Sequence, residues 1–183
     1  MLLPICLYGH PVLRKKARPV DITGEELSTL IADMFETMYH AEGVGLAAPQ
    51  IGKSIRLFVI DSAPFRETDD KAEIYKGAFI NPEIVDESGE DFTFNEGCLS
   101  LPDIHEEITR KSEVTVRYTD ENGNDQLRKF DGYVARIIQH EYDHLEGQVF
   151  TDRVTSLKKM LLKRKLSEIA NGKIHPRYKS KIK

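Results

Sequence analysis

The sequence has 183 residues, is 40% hydrophobic and 31% charged, lacks Trp and carries a formal net charge of -4. That length supports one domain with a sizeable core, and the composition excludes a disordered chain. No apolar run approaches the roughly 18 residues that span a bilayer, and only two cysteines, Cys6 and Cys98, leave no disulfide framework and favour the cytosol.

In chain order, residues 4–20 read as an extended arm punctuated by Pro4, Pro11 and Pro19. The first seven residues lack the basic lead and small-residue cleavage site of a signal peptide. Thr23-Gly24-Glu25-Glu26 has the form of a capping box. Leu27, Leu30, Ile31, Met34, Phe35 and Met38 follow at helical spacing, which predicts a core-facing helix ending before Gly43. The small residues from Gly43 to Gly52 permit close backbone approach to a ligand or to packed neighbours. Residues 47–54 imitate a phosphate-binding loop, but such a loop joins a strand to a following helix. This one follows a helix and enters a strand, and Ala47 replaces the first glycine, so nucleotide binding is set aside.

Residues 55–60 read as a buried strand and 62–76 as an exposed charged loop. Residues 78–81, ended by Pro82, and 91–94 read as further strands. Residues 113–119 alternate in polarity, and Asn122-Gly123 turns them into 126–130 as a hairpin. Asp131-Gly132 then opens a helix whose stripe of Tyr133, Val134, Ile137, Ile138 and Leu145 runs to a stop at Gly147. No block of charge lies on any side of it, so it reads as buried.

This helix carries His140-Glu141-Tyr142-Asp143-His144. Histidines at i and i+4 lie one turn apart on one face, where both imidazoles reach one metal ion. Glu141 stands beside them as a base for water. Two such histidines and a glutamate are costly in a core without a partner, and a metal supplies one.

The C-terminal region reads as an amphipathic helix marked by Leu157, Met160, Leu161 and Leu166, with Lys158, Lys159, Lys163, Arg164 and Lys165 on its polar side. Asn171-Gly172 ends it. The organisation is therefore one domain over residues 1–170 and a mobile basic tail over 171–183. Residues 153–183 hold eleven Lys+Arg and one acidic residue, for +10, against -14 over residues 1–152. A basic end on an acidic body suits a polyanionic partner as well as a plain solvated helix.

Two histidines leave a catalytic metal one protein ligand short. A third histidine six residues after His144 would mark one metallopeptidase class, but Phe150 stands there. A downstream glutamate would mark another, but Glu168 sits in a basic surface helix. Upstream, Glu96-Gly97-Cys98-Leu99-Ser100 offers a cysteine that, alone, would read as a buried structural thiol. Its coincidence with a two-histidine site lacking a ligand favours Cys98, His140 and His144 as the metal set, with an open fourth position.

Three segments in this order and spacing, Gly43-Val44-Gly45-Leu46-Ala47-Ala48-Pro49-Gln50, Glu96-Gly97-Cys98-Leu99-Ser100 and His140-Glu141-Tyr142-Asp143-His144, resemble the bacterial peptide deformylases. The resemblance extends to Pro11-Val12-Leu13-Arg14, Ile80-Asn81-Pro82 and the basic C-terminal helix. It implies an α+β fold, with antiparallel β-sheets wrapped around the metal-binding helix and helices at the N- and C-terminal ends. It also implies a hydrolase that removes the formyl group from the N-terminal formylmethionine of newly made polypeptides and releases formate. The metal it implies is one divalent ion, Fe(II) in the cell, in a site that also suits Zn, Ni or Co. Glu141 would be the general base and then the acid. Gln50 and the Leu99 N–H, placed by the resemblance, would stabilise charge on the formyl oxygen. The substrate-binding residues would be Val44, Gly45, Gly97, Tyr133 and Ile137. Gly45 would admit the peptide as an added strand, and Val44, Leu99, Tyr133 and Ile137 would receive the methionine side chain. The expected protein is a cytoplasmic monomer with no membrane contact, whose basic helix touches the ribosome. The competing reading is a ribosome- or RNA-associated protein with a structural metal.

Overall fold

Helix α1, Gly24–His40, buries Leu30, Ile31, Met34 and Met38, the stripe expected from the sequence. These side chains pack against Leu57, Val59, Ala78 and Ile80 of the central sheet. Helix α2, Gly132–Leu145, covers the opposite face, where Val134, Ile138 and Leu145 meet Phe58, Ile60, Phe79 and Phe130. Strand β3, Leu57–Asp61, therefore has both faces covered, which is why its first four residues, Leu57 to Ile60, are all apolar. These features come from a computed structural model that describes residues 1–182.

The main sheet has five antiparallel strands in the order β2-β3-β4-β5-β6: β2 Gly45–Ala47, β3, β4 Lys76–Cys98, β5 Leu101–Thr119 and β6 Asp125–Asp131. With α1, α2 and helix α3, Ser156–Ala170, this gives the α+β architecture expected. A second, two-stranded sheet is parallel and joins β1, Ile5–Cys6, to β7, Ser180–Lys181. Among the described residues no helix is long and apolar enough to cross a membrane.

Several elements depart from the sequence reading. Strand β4 does not end at Pro82. It runs on to Cys98 through register shifts between Ile80 and Glu83, Ile84 and Asp86, and Ser88 and Asp91. Pro82 falls inside the first of these irregularities, where no ladder N–H is needed. Thr23 and Asp131 stand at helix N-caps, yet neither side chain accepts a capping hydrogen bond. On α3 the buried side is Leu162, Leu166 and Ile169, whereas Leu157, Met160 and Leu161 face outward.

The tail expected to be mobile is laid back along the body of the protein. Ile174, Pro176, Tyr178 and Ser180 are half-buried while Lys173, His175, Arg177 and Lys179 are exposed, an alternation of period two. The segment packs back with Ile174, Tyr178 and Ile182 against Leu101, Ile104 and Ile169. Gly172, with φ +72°, reverses the chain at the end of α3, and a Cβ there would meet the Ile182 side chain at 2.8 Å. Net charge concealed the strand pattern. Lys183 lies outside the described residues.

Candidate active site

Helix α2 presents His140 and His144 on one face with ring centroids 5.2 Å apart. The end of β4 brings Cys98 across to them, with its Sγ 3.3 Å from His144 Nε2. One donor atom from each of the three residues falls within 4.8 Å of the others. The thiol comes from a tight reversal: Cys98 pairs with Leu101, leaving Leu99 and Ser100 as the connection to β5. Phe150, where another class would carry a third histidine, stacks on His140 instead, with centroids 5.9 Å apart.

A buried ion network fixes His140 from behind. Its Nδ1 lies 2.9 Å from Glu96 Oε2, leaving the other ring nitrogen for the shared centre. Glu96 also accepts from Arg110 Nε at 2.6 Å and from Arg136 Nη1 at 2.7 Å. Arg110 continues to Asp143 Oδ2 at 2.8 Å, and Arg153 closes on Asp143 with two bonds of 2.7 Å. Burial pushes the Glu96 carboxyl up, but His140 and Arg110 outweigh it and hold the group well below the usual carboxylate range. Asp143 is likewise depressed: its burial is outweighed by Arg153 and Arg110.

The same burial has other effects on the face toward the cleft. His144 is pushed down to about 3 by burial, so it is neutral and able to donate a lone pair to a metal. For His140, burial lowers the pKa, but hydrogen bonds with Cys98 and Glu96 raise it well above the ordinary value. Burial pushes Glu141 up to about 7. Glu141 Oε2 is buried and has no partner among the described residues. A Cβ on Gly45 would come within 2.3 Å of Glu141 Oε1, so any larger residue there must displace the Glu141 side chain. One thiolate and two imidazoles suit a single divalent ion, and an unpartnered carboxylate beside them suits a proton acceptor for its water. The donor set therefore fits one metal ion.

Cys98, His140 and Glu141 open into a cleft of about 920 Å³. Val44, Gly45, Gln50, Gly97, Leu99 and Ile137, all singled out in the sequence, also line it. Gln50 is held in one orientation: Oε1 accepts from the Ala47 N–H at 2.7 Å, and Nε2 faces Ser100 Oγ at 3.2 Å and Cys98 Sγ at 3.6 Å. Tyr133 is the exception. It is not part of the lining, and its ring stacks on Phe65, which is, at 4.4 Å and 6°.

Phe65 and Phe94 line the cleft and were missed, as were His175 to Tyr178 of the tail. Phe65 is the only aromatic residue among the charged residues of the loop before Tyr75, which was the available signal. Glu96 was visible beside Gly97-Cys98, but its arginine partners lie 14 and 40 residues away in sequence, beyond any local pattern.

An α+β fold around an HExxH helix, with a cysteine completing the donors and a carboxylate at an open cleft, defines a single-metal hydrolase. The family model for polypeptide deformylase matches residues 2–160. The peptide deformylase of Christiangramia forsetii is 48% identical over all of this chain and 96% of that one. That of Flavobacterium johnsoniae is 49% identical over all of this chain and 96% of its own. A crystal structure of a peptide deformylase from Legionella pneumophila superposes with TM-score 0.80 at 42% identity, covering 93% of this chain and 96% of that one. The chain belongs to the polypeptide deformylase family and is an enzyme that removes the N-formyl group from nascent polypeptides. The reading as an RNA-associated protein with a structural metal finds no support in these matches.

Proposed function

We propose that this chain deformylates N-formylmethionyl polypeptides with Fe(II) held by Cys98, His140 and His144, and with Glu141 as the proton-transfer group. The supporting observation is the convergence of the three donors beside the buried, unpartnered Glu141 Oε2. When bound, the ion supplies Lewis acidity toward water and the formyl carbonyl. Glu141 takes the proton of the attacking water and delivers it to the departing amine, as base and then acid. A C–O bond forms at the formyl carbon, the formamide C–N bond breaks, and formate leaves the free methionine amine. The Gln50 amide, oriented by Ala47, and the Leu99 N–H donate to the formyl oxygen as it gains charge.

Substrate enters along β2, the edge strand of the main sheet, which leaves its outer side for an added peptide strand. Gly45 lets that backbone lie near Glu141, and Gly97 borders the same path. Val44, Leu99 and Ile137 enclose the methionine side chain, with Tyr133 backing Phe65 in the pocket wall. Fe(II) is the ion the family resemblance implies, and the same ligands accept Zn, Ni or Co. The catalytic unit is one domain acting as a cytoplasmic monomer, and its basic helix α3 contacts the ribosome.

The test is metal content of anaerobically purified protein against formate release from formyl-Met-Ala-Ser. Activity that tracks one Fe per chain is the expected result. A folded, fully loaded sample that frees no formate refutes the reaction, and activity that tracks a different metal refutes the assignment of iron.

A further inference from the structure

The tail that the sequence reads as mobile reaches the cleft. Tyr178 lies on its lining, and its hydroxyl donates to the Leu99 carbonyl at 2.5 Å. Two residues on, β7 pairs in parallel with β1, and the Ile5 and Leu7 N–H groups donate to Lys179 O at 2.9 Å and Lys181 O at 2.8 Å. From that same arm the Tyr8 N–H donates to Ser100 O at 2.8 Å. Both carbonyls of the Leu99–Ser100 connection are thus tied to residues that flank one sheet made of the two chain ends. The family match stops at residue 160, so the C-terminal half of this clamp, Tyr178 and β7, lies beyond the segment that match covers.

The connection is what gives the clamp chemical weight. It carries the Cys98 side chain at its entrance and receives the Gln50 amide on Ser100 Oγ. The Leu99 N–H and C=O belong to the two peptide planes on either side of one α-carbon. Fixing the carbonyl plane restrains Leu99 ψ, and so limits how far the preceding N–H can swing. A two-residue connection with a free carbonyl has turn conformers that differ by a peptide flip, and a hydrogen bond to that carbonyl selects one of them.

We propose that the C-terminal strand is part of the catalytic unit and that Tyr178 is a positioning residue, its hydroxyl fixing the turn that aims the Leu99 N–H at the substrate formyl oxygen. This rests on the deformylase reading above for the role of the Leu99 N–H. Tyr178 itself does not touch the reacting atoms.

The experiment compares full-length, metal-loaded wild type with Tyr178→Phe, which removes one oxygen and keeps the ring in its packing. Two readouts are taken: steady-state kinetics on formyl-Met-Ala-Ser, and hydrogen–deuterium exchange over residues 96–102 and Tyr8. A net hydrogen bond of ordinary strength predicts that kcat falls about 3- to 10-fold. KM should stay within about twofold and metal content should be equal, because a positioning contact acts on the transition state. Exchange should quicken over 96–102 while β3 and α1 keep their protection. Unchanged kcat with unchanged local exchange overturns the proposal. So does a variant that fails to fold, or one that loses protection throughout, since Tyr178 would then be a packing residue. If wild type frees no formate yet exchange still quickens locally, the deformylase reading has failed while the strand's hold on the turn stands.

Discussion

Glu141 is placed where its two duties conflict with stability, and that conflict is measurable. Burial lifts its carboxyl from 4.5 to about 7, so the folded metal-free protein binds a proton there that the unfolded chain releases. Stability from this group is therefore full below about pH 4.5 and is lost as pH rises through about 7. Glu141→Gln should stabilise chelator-stripped protein by about 3 kcal/mol at pH 8 and by nothing near pH 4.5. Urea midpoints at the two pH values check this, and an equal difference at both contradicts it. With metal restored, the same variant should keep its ion but lose about 10²–10⁴-fold in turnover, the usual worth of a positioned acid–base group. Gly45→Ala is the steric counterpart, since its new methyl would stand 2.3 Å from Glu141 Oε1. It should cost about 1–3 kcal/mol in melting experiments, as overpacking does, and displace the carboxylate so that formate release falls further than stability.

At the scale of elements, β4, β5 and α2 are joined at the site by charge as well as by apolar packing. Glu96 on β4 meets Arg110 on β5 and both Arg136 and His140 on α2, all nearly sealed from solvent. Truncating Glu96 to Ala leaves two guanidinium groups facing an uncharged gap, and a buried pair broken on one side costs about 3–5 kcal/mol. Because the Glu96 pKa is depressed, the advantage of wild type over Glu96→Ala should be complete above about pH 4.5 and shrink as pH falls. Denaturant titrations from pH 3 to 7 test the sign, and an advantage that grows in acid contradicts it. The network also explains what the sequence made legible. His140 and His144 were readable because helical period alone brings them together, and Cys98 because a two-histidine site lacked a ligand. Helices α1 and α2 were readable from their stripes. The length of β4 and β5 was not, since the middle of that ribbon is exposed and charged, with bulges that break the alternation. Nor was the network, whose partners meet only after the sheet has folded.

At the scale of the whole molecule, charge and apolar exposure coincide on α3, and the coincidence separates the two roles proposed for the C-terminal region. Leu157, Met160 and Leu161 are 63%, 64% and 71% exposed among lysines, whereas the tail beyond them is bound into the β1–β7 sheet beside the cleft. Deleting the region would remove both features together, so charge reversal is the cleaner probe of ribosome contact. Lys158 is committed to Glu106 and Lys165 to the Asp103 carbonyl, but Lys159 and Lys163 make no ion pair among the described residues. The double variant Lys159→Glu/Lys163→Glu changes the surface by four charge units without touching the cleft lining. Electrostatic attraction to a polyanion weakens with added salt and with lost positive charge. Pelleting with ribosomes should therefore fall in the variant, most clearly at low ionic strength, while formate release from formyl-Met-Ala-Ser stays at the wild-type rate. Equal pelleting of both proteins across the salt series would overturn the proposed ribosome contact through α3. A parallel loss of tripeptide activity would show instead that the helix supports the cleft through its buried side, Leu162, Leu166 and Ile169.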